Sequence, residues 1–231
     1  MQFIKNFFKN KSQKAREKRS QIFIKRFFID EKTKILDLGS ESGSNINLIL
    51  MNSNYNPKNI YIADINSSLL QKGKKKFGFQ PVLINESKPL PFPDKYFDIV
   101  FCSSVIEHVT LSKNKIWEIN SGKLFKEKSR KRQKEFAQEI IRLGKQYFVQ
   151  TPHKHFIIES HSWLPFLSWL PRRLLIPVLK LTNLIWVKKT TPDWNLLNKD
   201  DMSEMFYNAK IIEEKFYGFT KSLMAVYSLN R

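Results

Sequence analysis

All four histidines of this chain fall in two short stretches: His108 in "VIEHV", and His153, His155 and His161 in "QTPHKHFIIESHSWLPF". Glu107 precedes the first, and Glu159 stands two residues before His161. An imidazole beside a carboxylate can take a proton from a hydroxyl or an amine while the acid orients the ring. If the chain around Glu159–His161 is extended, alternation sets both side chains on one face. That makes His161 the preferred base and Glu159 its orienter, with His108 and Glu107 as the second pair. A metal centre is not expected, because H-x-H…E-x-H on a proline-bounded loop matches no strong ligand template.

A second group of residues has the chemistry of a nucleoside site. "KILDLGSESGSNINLIL", Lys34 to Leu50, begins as a buried strand, turns at Gly39 and Gly43, and continues as a helix. Ligands of doubly wound sheets sit at the carboxyl ends of the strands, where Asp37, Gly39, Ser40 and Gly43 fall. Glycine there lets the backbone approach a ligand with no Cβ in the way. Asp64, followed by Ile65, ends the second strand "NIYIAD" and can accept hydrogen bonds from both ribose hydroxyls. Glu86 follows the third strand, within reach of an adenine amino group, and Ser103 with Ser104 ends the fourth. A dinucleotide dehydrogenase would need G-x-G-x-x-G for its pyrophosphate. This loop offers only G-S-E-S-G-S.

The elements that must position these groups alternate along the chain. "KILDL", "NIYIAD", "PVLIN", "YFDIVFCS" and "QYFVQT" are strand-like runs separated by helical stretches, which predicts a parallel sheet covered on both faces. "KIIEEKFYG" and "TKSLMAVYSL" meet at Gly218, and so short a turn allows only antiparallel pairing. Residues 1–30 read as a basic helical segment, with Phe3, Ile4, Phe7 and Phe8 at helical spacing among lysines. A lid or an anionic membrane contact are its two readings. Residues 31–231 read as one domain with inserts at about 111–134 and 156–187. The first insert, from Lys113 to Lys134, is lysine-rich and could grip a phosphate; the second is broken by prolines and could cover a substrate.

The composition of the 231 residues is 42% hydrophobic, enough for a full core. The excess of 40 Lys+Arg over 21 Asp+Glu gives a net charge of +19, which attracts phosphate-rich partners and also fits AT-rich coding drift. The lone cysteine, Cys102, excludes a disulfide framework and suits a reducing cytoplasm. No secretory signal is visible at the start, and the greasiest stretch is cut by prolines and by Arg172–Arg173, so no membrane span is expected.

In these motifs the sequence resembles the class I S-adenosylmethionine-dependent methyltransferases, specifically the small-molecule branch that shares "LPFPD…FDIVFCSSVIEHV". The resemblance runs from Thr33 to Leu229. It implies an α/β fold, a doubly wound, mostly parallel seven-stranded sheet with a C-terminal antiparallel hairpin, and S-adenosyl-L-methionine as cofactor. Carried over by position, Asp37, Gly39, Ser40 and Gly43 would shape the methionine end. Asp64 would hold the ribose, Glu86 the adenine amino group and Ser103 the methionine side, with Ile65 also at the cofactor. The family's D-x-G-x-G-x-G departs here at Glu41, which must point outward or else meet, or obstruct, the cofactor's ammonium group. "VQTP" followed by E-x-H-x-x-LPF-x-x-WLP also resembles a subgroup met among glycan-modifying enzymes.

The expected function is methyl transfer, by in-line displacement, to a small molecule or a glycan- or nucleotide-linked precursor. Contact with the inner face of a membrane through the N-terminal helix accompanies it. The alternatives are an RNA methyltransferase, suggested by the charge, and a non-catalytic cofactor-binding protein, suggested by Glu41.

Overall fold

The computed structural model describes residues 2–85, 88–112 and 115–229, the side chains of 2–5 and 7–9 excepted. Glu86, Lys113 and the apolar cluster Phe3, Ile4, Phe7 and Phe8 therefore lie outside what is described here. Seven strands form one sheet: β1 (Ile35–Leu38), β2 (Ile60–Asp64), β3 (Gln80–Leu83), β4 (Phe97–Ser103), β5 (Gly144–Pro152), β6 (Lys210–Phe216) and β7 (Phe219–Tyr227). Their order is β3-β2-β1-β4-β5-β7-β6. Strands β1 to β5 run parallel, and β7 is antiparallel to both its neighbours. The chain turns between β6 and β7 at Tyr217 and Gly218, both at positive φ, as a two-residue hairpin of right-handed twist requires.

All four residues of β1 are buried, because a central parallel strand has helices on both faces. Leu36 and Leu38 join Val100, Cys102 and Val149 in a core completed by Ala137 and Ile140. Those last two belong to helix α4 (Gly122–Leu143). Ile35, Phe101 and Phe148 face the other way, onto Phe23 of helix α1 (Gln2–Arg26), onto Phe27 just past its end, and onto Ile46 and Leu50 of α2 (Ser44–Leu50). Phe23 meets Phe101 and Phe148 edge-on at 5.3 and 5.6 Å. The basic N-terminal segment is therefore not a separate appendage: its last turns are part of the core.

Two expectations about the inserts change. The lysine-rich stretch is largely α4 itself, which starts at Gly122 behind the Ser121 cap. Its inward ladder runs Phe125, Ser129, Gln133, Ala137, Ile140, so two polar residues interrupt the apolar stripe. The proline-broken stretch forms a turn followed by α5 (Arg172–Ile185), which keeps Pro177 inside it. Helices α3 (Ser67–Phe77) and α6 (Lys199–Met205) complete the layers.

Candidate functional site

The loop after β1 is bound tightly to the sheet. Gly39 and Gly43 have φ of 77° and 72°, and a Cβ on either would lie within 3 Å of Val105 or Ile62 respectively. Gly73 of α3 packs so closely that its own Cβ would meet the Ser42 carbonyl at 2.4 Å. The loop thus depends on a third glycine that the motif did not reveal.

Glu41 takes φ of 53° and is exposed on the rim of the loop. Its backbone N–H donates to Asp64 Oδ2 at 2.8 Å, and Asn66 N–H donates to Oδ1 at 2.9 Å. Asp64 consequently holds the loop as well as ending β2. A left-handed conformation costs an L-residue about 1 kcal/mol, so Glu41→Gly should raise stability by roughly that amount and the melting temperature by about 2–4 °C. An unchanged melting temperature would show that Glu41 is not strained.

Two hollows lie at the carboxyl ends of the strands. The smaller, about 280 Å³, is lined on the sheet side by Asp37, Gly39, Ser40, Glu41, Asn45 and Ser103. Its other wall is α1, through Ser12, Arg16 and Arg19. Asp37 Oδ2 and Ser40 Oγ are buried with no hydrogen-bond partner among the described residues. Burial, and then the charge of Asp64, pushes the Asp37 carboxyl well above its ordinary range. Gly43 and Asp64 are not among its lining residues, and Asp64 reaches it only by holding the Glu41 N–H. Ile65 stands 53% exposed just past the end of β2, outside the hollow lining.

The larger hollow, about 610 Å³, shares Ser12, Arg19 and Ser104 with the smaller. His108, Glu159 and His161 line it. Glu107 is fully buried just behind them, where Thr151 Oγ1 donates to its Oε2 at 3.0 Å. "VIEHV" reads as the start of a helix, but Glu107 and His108 lie in a short 3-10 turn (Ile106–His108). Gln133 Nε2 donates to the Ile106 carbonyl at 2.9 Å, and Asn195 N–H to that of Glu107 at 2.8 Å. These bonds hold the turn in place of a helix.

Glu159 and His161 also meet differently from the extended alternation expected. The chain turns here, with Trp163 N–H bonded to the Glu159 carbonyl. The Glu159 carboxylate caps that turn by accepting from the N–H groups of His161 and Ser162 at 2.7 and 2.6 Å. His161 Nδ1 lies 2.5 Å from Glu159 Oε1, and its Nε2 lies 3.7 Å from Glu107 Oε1, an ion-pair separation. Burial works against a charge on His161, but the flanking carboxylates Glu107 and Glu159 prevail and push it up to about 9. At neutral pH the ring is an imidazolium between two buried acids.

His108 crosses His161 edge-on at 4.6 Å, and its Nδ1 stands 3.4 Å from Asp193 Oδ1. Ligand atoms of Glu107, His108 and His161 lie within 4.8 Å of one another. A metal there would have to displace the proton that already balances the acids. His153 and His155 pair with each other at 5.5 Å and belong to no converging ligand group among the described residues.

Residues 36–143, from β1 to the end of α4, match the family described as "Methyltransferase domain". That stretch is a class I methyltransferase domain. Its fold is similar to that of magnesium protoporphyrin IX methyltransferase from Synechocystis with bound SAH. That pair is 13% identical with a TM-score of 0.55, over 98% of this chain and 88% of that one. The protein solved with the Trm112 methyltransferase activator of Haloferax volcanii is 12% identical, TM-score 0.55, over 98% and 97%. A Pyrococcus horikoshii protein is 15% identical, TM-score 0.54, over 94% and 90%. No curated protein matches this sequence.

S-adenosylmethionine is the cofactor of this methyltransferase domain. The smaller hollow suits the zwitterionic end of that molecule, with an unpartnered carboxyl and hydroxyl on one wall and two guanidinium groups on the other. Among the described residues, no helix is long and apolar enough to cross a membrane.

Proposed function

We propose that this methyltransferase acts on a small acceptor carrying a phosphate or another anion, such as a glycan or nucleotide-linked precursor, held in the larger hollow. One observation carries the proposal: Lys11, Arg19, Lys188 and Lys221 line that hollow together with Phe156, Trp163 and Phe216. Cations with apolar ring faces recognise an anion attached to a bulky body. Bound in the neighbouring hollow, the sulfonium of the cofactor supplies an activated methyl group. The chain's own residues then have three tasks: to align the acceptor, to exclude water and to take its proton.

In this proposal Asp37 and Ser40 hold the cofactor's ammonium end, and Arg16 and Arg19 its carboxylate. Gly39 and Gly43 keep the loop backbone close, Ser103 lines the methionine side, and Asp64 with Ile65 flanks the ribose. Glu86 keeps its proposed contact with the adenine amino group. His108, braced by Asp193, takes the acceptor proton. His161, fixed by Glu159 and Glu107, is a positioning residue that presents a steady positive charge beside it.

Calorimetry with S-adenosylmethionine and its demethylated product tests the first half. Asp37→Asn replaces a carboxyl that can ionise against the ammonium group by a neutral amide of nearly the same shape, and should weaken binding by about 10-fold or more, the worth of a charge-assisted hydrogen bond. Undiminished affinity would remove Asp37 from the site. Radiolabelled methyl transfer to phosphate-bearing acceptors and their neutral analogues tests the second half, and equal turnover of both would overturn the anionic assignment.

A further inference from the structure

We propose that the outer face of α5, together with the Phe166–Trp169 turn before it, docks onto an anionic lipid bilayer. The helix is apolar on two sides. Leu175, Ile176 and Leu179 point inward and are buried. Leu174, Leu181, Leu184 and Ile185 lie on the opposite side, 55, 62, 78 and 73% exposed. Spacings of i, i+7, i+10 and i+11 place these four on one face, and Pro177 lies on the same face, also exposed. Phe166 and Trp169 add two half-exposed rings, 5.2 Å apart.

Charge identifies the occupant. From Ser160 to Pro192 the chain carries Arg172, Arg173, Lys180, Lys188 and Lys189 and no acidic residue. Arg172 is committed to the fold: it is buried, donates to the carbonyls of Ile116, Ile119 and Pro192, and lies 3.7 Å from the Phe125 ring centre. Arg173, Lys180 and Lys189 are exposed. An apolar face beside exposed cations is the pattern that enters the headgroup boundary of a membrane, side chains into the acyl region and ammonium groups onto lipid phosphates. RNA would be met by cations interleaved with stacking rings, and four exposed leucine and isoleucine side chains offer it nothing.

The same segment contributes Trp163, Ser168 and Lys188 to the wall of the larger hollow. Docking would therefore bring that hollow next to the lipid, which rests on reading it as the acceptor site. The docking itself does not.

Co-sedimentation with vesicles decides the question without any activity measurement. The full chain should bind phosphatidylglycerol–phosphatidylcholine vesicles, bind pure phosphatidylcholine weakly, and release from the former at high salt. Leu181→Glu with Leu184→Glu should weaken anionic-vesicle binding by about tenfold or more. Should that pair unfold the helix, Arg173→Glu with Lys180→Glu must still weaken it. No binding by the wild type, or equal binding by both variants, overturns the proposal. So does loss of binding on Lys14→Glu with Lys18→Glu alone, which would move the contact to α1. A dimer dissolved by the leucine pair, with no vesicle binding, would make this face a contact between two copies and also overturn it.

Discussion

Gly39→Ala is expected to collapse the cofactor loop, whereas Gly218→Ala, at a similar backbone angle, should cost only the backbone strain itself. Both glycines have positive φ, 77° and 85°, so each substitution carries the left-handed cost of about 1–2 kcal/mol. The difference lies in the surroundings. A Cβ at Gly39 would sit 2.4 Å from Val105 Cγ2, and one at Gly218 meets nothing within 4 Å. Overpacking adds about 1–3 kcal/mol, for a total of roughly 2–5 kcal/mol at Gly39 against about 1–2 at Gly218. Denaturant titration measures both. Calorimetry should show that cofactor binding fails in the first variant and survives in the second. Val105→Ala opens the space that a Cβ at position 39 needs, so adding it should recover part of the loss. A double-mutant cycle with no coupling would mean the loop relaxes elsewhere.

The second large effect concerns His161. His161→Leu leaves Glu107 and Glu159 buried without their shared cation and should cost about 3–5 kcal/mol at pH 7. The pH dependence separates this from simple loss of packing. His161 is raised from an ordinary 6.5 to about 9 in the folded chain, so its stabilising contribution is complete below pH 6.5. It is lost as pH rises through about 9, and over that window it amounts to roughly 3 kcal/mol. Glu159 is the other half of the contact. Burial alone would raise its carboxyl, but bonding to His161 holds it below its ordinary range. Its share therefore fades in acid, as pH falls through that lowered value. Unfolding free energies from pH 6 to 10.5 should converge for wild type and variant on the alkaline side. A gap independent of pH would show that the ring is neutral and that its role is packing.

The sheet was legible because apolar runs alternate with helical stretches, and a central strand such as "YFDIVFCS" has little else to become. The hairpin was legible at Gly218 for the same local reason. The Glu107–His161 pair was not, because the two residues are 54 positions apart and meet only through the pairing of β4 with β5, where Ser103 stands opposite Gln150. The first half of α4 was read as a lysine-rich insert, since Ser129 and Gln133 interrupt its inward apolar stripe. An i, i+4 ladder counted without regard to polarity would have found it. Arg16 and Arg19 look like any other cations in a basic helix, and nothing local distinguishes two that turn toward a ligand cleft.

Their placement has a consequence for turnover. Helix α1 is tied to the sheet by Phe23 in its last turns and by the Arg19–Glu214 ion pair at 3.8 Å, while Ser12, Arg16 and Arg19 form the far wall of the smaller hollow. They face the hollow assigned above to the cofactor, so a substitution among them can alter catalytic tempo without touching a reacting atom.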